Sequence, residues 1–111
     1  DICMTKDDET LQSFISEYFE MFGDDAYLSN EGANIYSHVL WLCDAIERAG
    51  STDGPAIMQA MKETDNFPGL NGNYKLIGDK VDYVSTVDIA QNVVVDGKVQ
   101  NEYIKTVGSA E

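Results

Sequence analysis

Few residues in this chain have the types and spacing that chemistry needs. Its only histidine, His38, follows Ser37 in a stretch with helical periodicity. Adjacent helical side chains diverge by about 100°. The pair therefore predicts no nucleophile–base dyad, and His38 is expected to be structural or at the surface. Cys3 and Cys43 are the only cysteines. They could form one disulfide, but Cys43 falls in an apolar helical stripe and is expected in the core. Without a CxxC pattern and with a single histidine, a zinc ion has no ligand set. Asp7-Asp8-Glu9 and Asp24-Asp25 lack the spacing of a calcium loop. They read as a helix start and a solvated loop. There is no GxSxG, no glycine-rich phosphate loop and no HExxH. The chain is accordingly read as a non-enzyme with no cofactor.

The bulk numbers narrow the partners. The 111 residues suffice for one small domain. They include 20 acidic and 7 basic residues, net −13. The first 50 residues hold 11 of the acidic and 2 of the basic ones. Such a surface repels nucleic-acid backbones and anionic lipid heads. The apolar runs are too short to span a bilayer, and no signal peptide is visible. The chain opens at Asp1 without a methionine, as expected of a processed or trimmed product, so a missing signal says little about compartment.

The elements follow from periodicity and punctuation. Residues 7–22 predict a helix with Leu11, Phe14, Ile15, Tyr18, Phe19 and Phe22 on one stripe, stopped by Gly23. Residues 31–49 predict a second, capped by Ser29 or Asn30. Its stripe is Tyr36, Val39, Leu40, Cys43 and Ile46, with Trp41 off it. Ala33, Ile35, Leu42 and Ala49 widen the stripe, so packing on more than one side is expected. A third helix over 54–63 has caps in Ser51-Thr52-Asp53, Pro55 in its first turn, and Ile57, Met58 and Met61 inward. Phe67 to Gly72 is dense in turn residues, and Gly78-Asp79-Lys80 predicts another turn. Strands are expected over 73–77, 84–95 and 98–106, the last two joined by the Asp96-Gly97 hairpin turn. A hairpin alone is marginal in water. It must lie on the helices or join a sheet supplied from elsewhere.

In this order the residues resemble a known family. Phe14, Tyr18 and Phe22-Gly23 come first, then Tyr36 and Ala45-Ile46-Glu47-Arg48-Ala49-Gly50-Ser51-Thr52-Asp53. Ala56-Ile57 and Ala60-Met61 follow, then Phe67-Pro68-Gly69-Leu70-Asn71-Gly72 and Val95-Asp96-Gly97-Lys98-Val99. The series is similar to the C-terminal region of solute-binding proteins of branched-chain amino acid and amide ABC transporters. Each piece is common alone, and the shared register gives the likeness its weight.

The resemblance implies an α/β protein of the type I periplasmic binding fold, with ligand held between two lobes. Residues 1–111 would be a single segment, the C-terminal portion of such a protein, made of three α-helices followed by antiparallel β-strands. The strands its helices should cover are not in this chain, which is then expected to be a fragment whose partner is the remainder of the same protein. The implied ligand is a small polar molecule, an amino acid or an amide. The implied partner is an ABC transporter permease, and the implied place is the periplasm or a lipoprotein-anchored cell surface. In the family the segment entering the second helix lies near the cleft. That makes Tyr27, Asn30 and Glu31 the candidate ligand-binding residues. A helix N-terminus suits an anionic group, an aromatic can cover an aliphatic part, and Glu31 prefers an ammonium or amide donor. N-cap and solvated-loop roles stand beside this reading. Two other functions also remain open: a ligand-sensing domain of a signalling receptor or amide regulator, and a free-standing small interaction domain.

Overall fold

The computed structural model describes residues 3–78, 80–83 and 87–108. Three helices lead: α1 (Glu9–Phe22), α2 (Asn30–Ala49) and α3 (Gly54–Lys62). Local chemistry sets their ends. Asp8 caps α1 by accepting the Leu11 N–H at 3.0 Å. Ser29 does the same for α2 through Gly32 at 3.0 Å, and Asp53 for α3 through Ala56 at 3.3 Å. Each such cap contributes about 1 kcal/mol. Gly50 ends α2 in the left-handed conformation, at φ 59°.

Five strands follow as two antiparallel sheets. The first is β1 (Phe67–Gly69), β2 (Gly72–Ile77) and β3 (Lys80–Tyr83), in that order. The second is the hairpin β4 (Val87–Val95) and β5 (Lys98–Val107). Asp96 and Gly97 both take positive φ at its turn, 51° and 78°, as the Asp-Gly pair predicts. The expected strand at 84–95 is seen from Val87; residues 84–86 lie outside the described residues.

Four expectations change. The segment 67–72 is a strand, a tight turn and the start of another strand. Pro68 hides β1 from a propensity reading. Similarly, Lys80 opens β3, while Asp79 of the expected turn lies outside the described residues. Met58 and Phe22 point outward, 46% and 61% exposed. The largest change is the packed side of α2. It buries Ala33, Ser37, Trp41 and Ala45, whereas Cys43, expected in the core, is exposed. Trp41, off the expected stripe, is 1% exposed.

The cause is that α2 is apolar nearly all round. At about 100° per residue, the buried set faces away from Ile35, Tyr36, Val39 and Leu42, with Leu40 at its border, and all five are exposed. Small residues on the buried side let β1 approach, and the Trp41 indole fills the space. Its ring stacks near Phe67 and Tyr74, with centroids 6.2 Å away in each case. Gly69 completes this contact, because a Cβ there would collide with the Tyr74 ring.

Polar groups lock the layer. Ser37 Oγ donates to Ala33 O and accepts the Leu70 N–H, both at 3.0 Å. Thr64 Oγ1 accepts from Trp41 Nε1 at 3.0 Å and Arg48 Nη2 at 2.6 Å, and donates to Ala60 O. Arg48 Nη1 also donates to Ala60 O, at the negative end of α3. A second core joins α1 to α2 through Leu11, Ile15, Leu28, Ala33 and Leu70.

Candidate functional site

The loop after α1 is pinned on both sides of Tyr27. Gly23 takes φ 89° and donates to Phe19 O at 2.9 Å. Ala26 N–H returns to Gly23 O at 3.0 Å. Leu28 turns into the core, 6% exposed, and Tyr18 OH donates to Tyr27 O at 3.0 Å. With its backbone held and its neighbour inward, Tyr27 turns outward, 73% exposed.

The hairpin faces this loop. Its turn fixes the register, so Asn92 lies opposite Asn101 and Lys98 opposite Val95. Between hairpin and loop is an open cavity of about 440 Å³. Met4, Phe19, Leu28 and Val99 supply its apolar wall. Tyr27, Asn92, Gln100 and Asn101 bring aromatic and carboxamide groups, and Asp24 and Lys98 bring one charge of each sign. Lys98 Nζ lies 3.8 Å from Asp25 Oδ1, and both side chains are largely exposed. That pair is weak and leaves the ammonium open to exchange partners.

The three residues expected to touch ligand do not converge here. Tyr27 lines the cavity, but Asn30 and Glu31 do not. Asn30 is the first helical residue of α2, half-buried, and its carbonyl accepts Asn71 Nδ2 at 3.4 Å. Glu31 is exposed in the first turn. Ser29, not Asn30, caps the helix. Sequence reasoning missed Asp24, Asn92, Lys98 and Asn101. The Asp-Gly turn could have paired Asn92 with Asn101, since register counts outward from a hairpin turn. No local signal brings that pair to Tyr27.

Other chemistry is spoken for. Ser37 Oγ is held within the fold, so it forms no dyad with His38. His38 lies edge-on to Tyr74 at 4.8 Å, and its Nε2 is buried without a hydrogen-bond partner among the described residues. Both cysteines are free thiols. Burial, and then the Asp88 carboxylate, push the Cys3 thiol above its ordinary pKa. Among the described residues no cluster of three or more His, Cys, Asp or Glu could hold a metal. None of their helices is long and apolar enough to cross a membrane.

A second, larger groove of about 630 Å³ runs between α1, α2 and β1. Phe14, Tyr36, Leu40 and Pro68 line it beneath Glu9 and Glu17. It adjoins the exposed apolar face of α2.

Comparison with known proteins gives one match. The profile of the family described as periplasmic binding protein matches residues 5–98. No curated protein and no solved structure matches the chain.

Proposed function

Because the chain belongs to the periplasmic binding protein family, we propose that it serves as part of the extracytoplasmic solute-binding component of an ABC transporter, taking an amino acid or similar small polar ligand without covalent chemistry. The supporting observation is the cavity beside Tyr27. It sets a carboxylate and an ammonium around an apolar wall, in a chain otherwise strongly acidic. A zwitterion presents the complementary charges, and its side chain can lie on Phe19 and Leu28. Tyr27 covers the ligand in this reading. Asn30 and Glu31 act from the neighbouring helix start, Glu31 as an acceptor for an ammonium or amide. The periplasm or an anchored cell surface is the corresponding place, and a permease the corresponding partner.

The same proposal explains the outer face of α2. A helix apolar on both sides is stable between two layers. Residues 1–111 are then the C-terminal portion of a two-lobed protein, and the remainder of that protein covers Ile35, Val39 and Leu42. A free-standing interaction domain would instead give a cooperative, monomeric melt from residues 1–111 alone.

A thermal-shift screen of amino acids and amides on the full-length protein tests the function. L-Leucine is expected to raise Tm, and Lys98→Glu to weaken binding roughly tenfold or more by losing a charge-assisted contact. No shift with any amino acid or amide would remove the proposal.

A further inference from the structure

We propose that the Lys6–Asp88 ion pair is a clasp that positions the β4–β5 hairpin over the Tyr27 cavity. Burial does little to hold the hairpin. Val87, Val94 and Val99 are 63%, 71% and 70% exposed. Its specific ties are to the segment before α1. Lys6 Nζ meets Asp88 Oδ2 at 2.8 Å, with the side chains only 23% and 21% exposed. Thr106 Oγ1 donates to Asp88 Oδ1 at 2.6 Å, so both carboxylate oxygens are engaged. Tyr103 N–H leaves the hairpin and donates to Thr5 Oγ1 at 2.7 Å. The Lys6 ammonium also lies 5.9 Å above the Tyr103 ring.

The body side of the clasp is itself fixed. Gln12 Nε2, on α1, donates to both Met4 O and Lys6 O at 2.9 Å. Lys6 is therefore held on α1 and its core, against which Met4 also packs, and Asp88 takes its place from it. A bulge between Ile89 and Ala90 follows Asp88 directly. The extra residue is Ile104 on β5, opposite the step from Ile89 to Ala90. A bulge bends its strand and raises the local twist, so the clasp and the bulge together set the direction in which the hairpin runs on. Four residues further, about 13 Å at strand rise, are Asn92 and its partner Asn101 in the cavity wall. The far contact, Lys98 with Asp25, is long and exposed. The hairpin is thus fixed at the clasp and loose at its turn. Lys6 and Asp88 are positioning residues: neither lines the cavity.

The Tyr103 amide is the reporter, because its acceptor lies on the body and not on the hairpin. In hydrogen exchange on the full-length protein, Asp88→Asn is expected to speed exchange at Tyr103 about tenfold, with α1 and α2 amides unchanged. The reversed pair, Lys6→Asp with Asp88→Lys, is expected to restore it. Tyr103 exchange within twofold of wild type in Asp88→Asn would overturn the clasp. So would no recovery in the reversed pair, or an equal loss of protection in the helices. That the clasp shapes a binding site rests on the proposed function, which L-leucine binding to the full-length protein tests separately. If Tyr103 responds and wild type binds no leucine, the clasp stands and the solute-binding reading of this cavity falls. If wild type binds and Tyr103 does not respond, the clasp falls alone.

Discussion

Replacing Ser37 by alanine should destabilise the protein, although alanine is the better helix former. Ser37 is 1% exposed, and its hydroxyl spans α2 and the β1–β2 turn. Two effects oppose. Alanine gains up to about 0.5 kcal/mol of helix propensity. Against this, the Leu70 N–H loses its acceptor at a position only 8% exposed. An unsatisfied buried donor costs about 1–3 kcal/mol. The bond to Ala33 O is a smaller loss, because that carbonyl also belongs to the helix ladder. The net expectation is about 0.5–2.5 kcal/mol of destabilisation, the buried donor outweighing propensity. Urea unfolding followed by Trp41 fluorescence reads this as a lower midpoint at unchanged m-value. A Ser37→Ala midpoint equal to or above wild type would show that Leu70 finds another acceptor, and the bracket between α2 and the turn would carry no stability.

Other outcomes follow from the same structure. Cys43→Ser, on the exposed face of α2, should change stability in residues 1–111 by less than about 0.5 kcal/mol. A core-sized loss in the unfolding midpoint would restore the apolar-stripe orientation. Iodoacetamide should label Cys43 quickly and Cys3 slowly, read by peptide mass, because Cys3 is buried and its thiol pKa is raised. Gly69→Ala must move the Tyr74 ring and should cost about 1–3 kcal/mol, measured by denaturation. Arg48→Met should lower stability by about 1 kcal/mol or more through the lost Ala60 and Thr64 contacts; an unchanged melt would make them ornamental.

The helix ends were legible because their causes are local. Ser29 and Asp53 cap within three residues of themselves, and Gly50 ends α2 in the left-handed region. The same holds for the Asp96-Gly97 turn. The start of α1 was expected at residue 7 and lies at Glu9, because Asp8 turns out to be its cap. The inward face of α2 was not legible. Periodicity finds a face by contrast, and a helix with Ile35, Tyr36 and Val39 on one side and Trp41 on the other offers little. What decides is fit: Ala33, Ser37 and Ala45 leave room for β1, which only the folded neighbours reveal. Strand β1 hid behind Pro68 and its length of three residues. At the cavity, Tyr27 was reached through the family resemblance. Lys98, Asn92 and Asn101 approach it from the other end of the chain, beyond any spacing rule.

The hairpin also bears on how this polypeptide survives its own synthesis. With only two strands in its sheet, β4 and β5 each keep an outer edge that no further strand pairs among the described residues, although the Tyr103 N–H is bonded to Thr5. Val93-Val94-Val95 lies on one of them without a charge in the run. Such an edge templates the addition of further strands, from another copy as readily as from a proper neighbour. Asp96 and Lys98, at the turn that follows Val95, act as gatekeepers beside the valines. Neutralising them should shorten the time to fibrillar aggregation far more than it lowers the melting point, since the hazard lies in the exposed edge and not in the core.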